Sequence, residues 1–329
     1  MLRDMMPHFD LFQPAELDAA LELAANLGVD GWLVGGGQDS WDWLKNRTKR
    51  TTAVIDLSGI AALKGVRERD GGLEIGALTT LSEVESDPQI RERFGLLATA
   101  AGRVASPQIR NAGTIGGNIS QDTRCWYYRG GVDCYRAGGN TCYADTPQGQ
   151  NREHAIFNAS RCVAVTPSDT ANALVALEAG VVIARKGGER VVPAEDFFIG
   201  PDVNIRRMTD LEPGEILTAI RIPATWSGAA FHFEKVADRT AWDFALLSIA
   251  AAFQMEGDTI VSSRVVLGAA ACVPYRLGAV ERALSGAKRD AATADRVATL
   301  ESKAAKTLNF NQYKVPLMEN LIRRAVRGS

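Results

Sequence analysis

Leu17, Leu21 and Ala24 recur on one helical face between Pro14, which suits a helix start, and Gly28, which suits a stop. The chain therefore opens with a predicted helix. An apolar run at 31–34 leads into Gly35-Gly36-Gly37 and an amphipathic stretch at 41–44. Strand-like runs at 52–57 and 72–77 alternate with helical patterns at 80–87 and 96–104. A second glycine pair follows in Thr114-Ile115-Gly116-Gly117-Asn118.

From about residue 120 to 161 the periodicity collapses into Gly, Asn, Gln, Arg and Tyr, and a structureless stretch of about 40 residues needs a functional or cross-linking reason. Order returns with a Pro167-Ser168-Asp169 turn, an Ala-rich helix at 170–177 and strands at 181–185 and 216–222, the last preceded by a Pro213-Gly214 turn. The segment 223–228 suits a linker. Beyond it, apolar runs at 231–236, 244–255 and 259–269 predict an antiparallel meander with Gly257-Asp258 as a tight turn. From Arg276 onward the pattern is helical and ends in an Arg-bearing helix at 317–327.

A length of 329 residues suits two domains, at roughly 100–200 residues each. The 37 Lys and Arg residues against 39 Asp and Glu give a net charge of −2. That balance argues against a nucleic-acid binder, which needs a basic excess. The longest apolar run, 245–253, contains a serine and falls well short of the about 20 residues a membrane span requires. No cationic segment followed by an apolar core is readable at the N-terminus, so a cytoplasmic location is expected. The histidines, His8, His154 and His232, are scattered, and no paired carboxylates or Ser/His/Asp set competes for catalysis.

Two glycine loops, each after an apolar run, let backbone N–H groups approach a ligand closely and suit the two sides of a pyrophosphate. The first is not the G-x-G-x-x-G dinucleotide fingerprint, because Ser40 occupies its last position. Ordinary tight turns are the bland alternative.

Four of the five cysteines cluster as Cys125-x8-Cys134-x7-Cys142-x19-Cys162. Four thiolates closing on one centre would cross-link a loop with few apolar residues. Structural zinc and 4Fe–4S clusters both accept four thiolates. Zinc sites favour close C-x2–4-C pairs, which are absent here, so the dispersed spacing tilts toward the bulkier cluster. Disulfides are disfavoured in a reducing compartment, and unconnected thiols are the remaining reading. His154 could replace one cysteine, but as a loop residue it is expected at the surface. Cys272 stands apart and is expected to be a buried core thiol.

The blocks VGGGQDSWDWL, VIDLSGI, LEIGALTTL, QIRNAGTIGGNI, TPSDTANALVAL and GEILTAIRIP occur in order over nearly the whole chain. Together they resemble the FAD-binding medium subunit of the molybdenum hydroxylases, the group of xanthine dehydrogenase, carbon monoxide dehydrogenase and bacterial aldehyde oxidoreductases. The resemblance implies an α+β fold: a two-lobed α/β FAD-binding domain of the PCMH type at 1–223, with a cysteine-rich insertion at about 120–162. A C-terminal domain at 228–329 would carry a three-stranded antiparallel sheet and helices. FAD would meet Leu33, Val34, Gly35, Gly36, Gly37, Gln38, Asp39 and Ser40 in the first loop and Thr114, Gly117 and Asn118 in the second. Gln38 stands where the family usually has Thr, so a hydroxyl contact is lost there. Asp169 would lie beside the ribose or adenine, Ile216 near the isoalloxazine, and Lys235 near the flavin ring as a cation. Read without the family, Asp169 is a helix cap and Lys235 a strand-edge charge.

In that family the GGN block runs into the P-x-S-D block within about ten residues, so the interval here is an insertion. DTRC at its start and S-R-C before P-S-D resemble two subgroups with an extra 4Fe–4S cluster, certain bacterial aldehyde oxidoreductases and 4-hydroxybenzoyl-CoA reductase; the ends look closer to the former. This would make Cys125, Cys134, Cys142 and Cys162 metal ligands. The chain has no plant-type C-x4-C-x2-C run and no room for a molybdopterin domain. It would therefore pass electrons between a small 2Fe–2S subunit, a large molybdopterin-binding subunit and an external acceptor or donor, in an αβγ or doubled αβγ complex oxidising aldehydes or aromatic or heteroaromatic compounds. Rival readings are a 4-hydroxybenzoyl-CoA-like reductase with inward electron flow, a free-standing FAD oxidoreductase and a zinc-bound interaction subunit.

Overall fold

The computed structural model describes residues 6–328. Strands β1 (Asp10–Phe12), β2 (Gly31–Val34) and β3 (Ala53–Asp56) form a parallel sheet in the order β1-β3-β2. The helix Leu17–Leu27 supplies the crossover and buries Ala20, Leu21 and Ala24, the face its apolar spacing predicts.

The second lobe holds β4 (Val66–Arg69), β5 (Gly72–Gly76), β6 (Gly180–Arg185), β7 (Gly188–Pro193) and β8 (Ile216–Ile222) in the order β4-β5-β8-β6-β7, all pairs antiparallel. Short helices pack on it, several with built-in starts. Thr80 and Glu83 form a reciprocal capping box, and Asp87 caps the helix Pro88–Arg93 with Pro88 at its first turn. Glu74 is buried in this sheet, bonded by Arg67, Arg69 and Arg221, as a buried carboxylate requires.

The C-terminal domain contains β9 (Ala230–Val236), β10 (Leu247–Glu256), β11 (Thr259–Gly268) and β12 (Tyr275–Arg276), antiparallel in the order β12-β11-β10-β9. The sheet thus has four strands, not three. The extra strand has two residues, Tyr275 and Arg276 opposite Leu267 and Val266, too few to leave an alternation in the sequence. The helix Lys314–Arg327 covers one face with Met318, Leu321, Ile322, Ala325 and Val326. Among the described residues no helix is long and apolar enough to cross a membrane.

The inserted stretch has little regular structure, only the helix Trp126–Arg129 and a helical turn at Tyr135–Ala137. Its second half is nonetheless fastened to the C-terminal domain. Ile156 and Phe157 join that domain's apolar core, and Phe157 stacks on Tyr275 with centroids 4.1 Å apart. Asn311, fully buried, donates to the carbonyls of His154 and Ala155, both at 3.1 Å, and accepts from Leu308 N at 2.6 Å. Asn311→Ala strands these buried groups and is expected to cost about 3 kcal/mol. Denaturant unfolding checks this; a loss below about 0.5 kcal/mol would mean that the clamp is not holding the insertion.

Candidate functional site

The first glycine loop continues from β2. A Cβ on Gly36 would lie 1.8 Å from the carbonyl oxygen of Ala112, so only hydrogen fits where the two loops meet. Gly37 has φ of +71°, and a Cβ there would strike the Trp41 indole at 2.4 Å. Among the described residues the backbone N–H groups of Gly36, Gly37, Gln38 and Asp39 find no protein acceptor. Four adjacent free donors make an anion cradle.

The second loop faces the first. Thr114 caps the helix Ile115–Ser120: its hydroxyl accepts from Gly117 N at 3.1 Å and its carbonyl from Asn118 N at 2.8 Å. The side-chain carbonyl of Asn118 accepts from Ser168 Oγ at 2.6 Å and Thr170 Oγ1 at 2.7 Å. That network sets the 167–170 turn and presents Asp169. Between the loops lies a cleft of about 360 Å³ bordered by Leu33, Gly35 to Ser40, Thr114, Gly117, Asn118 and Asp169, within the range of small-molecule and cofactor sites. Val34 is buried one step behind it, packed with Leu44 and Val54.

Two residues that the resemblance puts near the flavin, Lys235 and Ile216, lie outside the lining of the cleft. Lys235 does not border the cleft; its ammonium is buried and donates to Asp169 Oδ2 at 2.5 Å, Asp243 O at 2.7 Å and Arg103 O at 3.0 Å. Burial pushes the Asp169 carboxyl up to about 6 despite Lys235 beside it. What the cleft meets is an ion pair rather than a bare cation. Ile216 is fully buried among Ala20, Leu21, Ile55 and Ala184, away from the cleft, because the first residue of β8 faces the helix Leu17–Leu27.

Sequence reasoning missed the far wall. Arg124, from the insertion, and Phe244, from the C-terminal domain, both border the cleft, with the guanidinium 4.5 Å from the ring centroid. Arg124 also pairs with Asp39 at 3.0 Å. Apolar alternation assigns Phe244 to a strand, but β10 begins only at Leu247 and Phe244 lies in the preceding loop. No local pattern joins residues so far apart; only the insertion's place next to the second loop hints that it could reach the cleft.

Behind Arg124, all four clustered cysteines border one further cavity, together with Tyr128, Arg136 and His154. None is in a disulfide. Among the described residues no three His, Cys, Asp or Glu side chains converge as a ready-made ligand set for a metal ion. Burial pushes the Cys125 thiol up to about 11 and the Cys142 thiol up as well. His154 is buried, not at the surface, with Nε2 3.3 Å from Cys125 Sγ. Burial, then the Lys314 charge, lowers it to about 4, so the ring is neutral at physiological pH. Cys272 is buried as expected, and its thiol donates to Ala164 O at 2.8 Å beside Cys162.

Gly36→Ala is expected to displace the first loop and reduce bound flavin at least tenfold, whereas Gln38→Ala removes only a 3.2 Å bond to Gly36 O and retains it. Flavin absorbance per chain checks this; full flavin in Gly36→Ala would contradict the loop geometry. Asp169 holds its proton more tightly folded, at about 6, than unfolded, at 3.8. The stability it contributes is therefore complete below the lower value and is lost as pH rises to the higher, on the order of 3 kcal/mol. Unfolding of the flavin-free chain should lose this stability between pH 4 and 6, and Asp169→Asn should flatten the loss. An unchanged profile in the variant would assign it elsewhere.

Residues 7–225 match the FAD binding domain in molybdopterin dehydrogenase, and residues 232–328 the CO dehydrogenase flavoprotein C-terminal domain. The aldehyde oxidoreductase FAD-binding subunit PaoB of Escherichia coli is 35% identical over 83% of this chain and 85% of its own. The carbon monoxide dehydrogenase medium chain of Hydrogenophaga pseudoflava is 28% identical over 98% and 97%. A solved structure of the carbon monoxide dehydrogenase from Hydrogenophaga pseudoflava superposes with a TM-score of 0.78 at 27% identity, covering 98% of this chain and 97% of that one. The chain belongs to the FAD-binding subunit family of the molybdenum-dependent dehydrogenases.

Proposed function

We propose that the chain is the FAD- and 4Fe–4S-carrying electron-transfer subunit of a molybdenum hydroxylase complex. It would exchange electrons with a small 2Fe–2S subunit and a large molybdopterin-binding subunit on one side and an external acceptor on the other. Aldehydes are the favoured substrate class, on the 35% identity to an aldehyde oxidoreductase subunit. The observation that carries the reading is the placement of four uncross-linked cysteines around one cavity, adjoining the two-loop cleft through Arg124 and Cys125.

FAD, when bound, supplies the conversion between one-electron and two-electron traffic. The protein's part is binding and electrostatics. The free N–H groups at Gly36 to Asp39 would hold the diphosphate, with the Thr114 loop opposite. Leu81, Val104, Ala105, Ile109 and Phe244 give the cleft an apolar wall, which excludes water from a ring system. Asp169, backed by Lys235, offers a carboxylate to a hydroxyl-bearing part of the ligand. Cys125, Cys134, Cys142 and Cys162 would hold the cluster, which closes a long irregular loop that has few apolar residues of its own.

Cys134→Ser in the co-expressed complex is expected to remove about four iron per complex, leaving the partner's 2Fe–2S iron and most of the flavin, because Cys134 borders the cysteine cavity and not the cleft. Iron retained at the parent level would refute the ligand assignment. Purification without a molybdenum-containing partner would refute the place in a complex.

A further inference from the structure

His154 is held both by its own loop and by the C-terminal domain. Its backbone N donates to Asn151 O at 3.1 Å and its carbonyl accepts from Asn311 at 3.1 Å. Next to it, the fully buried Lys314 donates to Glu153 O at 2.9 Å and Ala269 O at 2.9 Å. The imidazole is thus pre-positioned, with Nε2 3.3 Å from Cys125 Sγ.

The tautomer follows from the surroundings. A neutral ring carries one N–H, and Nδ1 is buried with no partner among the described residues. A proton on Nδ1 would leave a buried donor unpaired, which native interiors avoid more strictly than an unpaired acceptor. A proton on Nε2 gives that donor the Cys125 sulfur as acceptor.

Location gives this contact a consequence. His154 and Cys125 border the cysteine cavity and also a second pocket that runs past Ala164 and Pro167 to Asp169 and Phe244, which line the flavin cleft. Cys125 is the one cysteine of the four that borders both.

Resting on the 4Fe–4S reading above, we infer that His154 is a positioning residue for the cluster, its Nε2–H donating to the Cys125 sulfur and raising the cluster's reduction potential. Hydrogen bonds to ligand sulfurs are among the determinants of such potentials. A donor dipole stabilises the more negative, reduced form more than the oxidised one. The side chain neither coordinates metal nor gives up its proton.

The test uses the intact complex as parent, His154→Ala and His154→Gln, with iron and sulfide analysis and a potentiometric titration of the cluster followed by EPR. Iron and sulfide are expected at parent level in both variants. The potential is expected to fall in His154→Ala and to stay near the parent in His154→Gln, whose amide N–H can occupy the donor position. An unchanged potential in His154→Ala overturns the proposal and leaves the cluster reading intact. Loss of iron from both variants of an iron-bearing parent makes His154 a ligand or a scaffold residue, and also overturns it. A parent with no iron and sulfide beyond the partner's 2Fe–2S content, and no 4Fe–4S EPR signal, defeats the cluster reading itself, and the proposal with it.

Discussion

Asp39 joins the two candidate centres. Its carboxylate lies in the first glycine loop, accepts from Trp43 Nε1 at 3.0 Å, and pairs with Arg124 and Arg129 of the insertion. Asp122, in the insertion, repeats the arrangement with Lys49 at 2.6 Å and Arg136 at 3.3 Å. Burial pushes the Asp122 carboxyl up, but the two cations outweigh it and hold it below the ordinary value. Paired buried charges of this kind are costly to break, because removing one partner strands the other. The insertion is therefore part of the cleft wall and not an appendage to it.

The opposite end of the insertion is fixed by different means, with Asn151, Asn311 and Lys314 serving backbone carbonyls and N–H groups between the loop and the C-terminal domain. Irregular backbone can be buried only when its polar groups are paired, and these three side chains do much of that pairing. One end answers to the flavin loops and the other to the C-terminal domain. The cysteines lie between the two, in a cavity lined by residues 125–164 alone.

Much of this was legible in the chain because it is local. The glycine triplet, the Thr114 cap and the Pro167-Ser168-Asp169 turn each announce themselves within a few residues, and all three border or shape the cleft. The parts that were not legible depend on distant partners. Phe244 opens an apolar run that looks like strand, His154 looks like one more polar loop residue, and Lys235 reads as a free cation until Asp169 is found beside it. Ile216, a motif position, fills the core behind the first sheet and does not line the cleft. β12 escaped notice because two residues carry no period.

On the proposed function, one chain holds a flavin and a four-thiolate iron–sulfur centre side by side. Joint determination of flavin, iron, acid-labile sulfide and zinc on anaerobically purified protein tests it most directly. One flavin with about four iron and four sulfide per chain is expected. Zinc in place of iron, or flavin with neither metal nor sulfide, would contradict it.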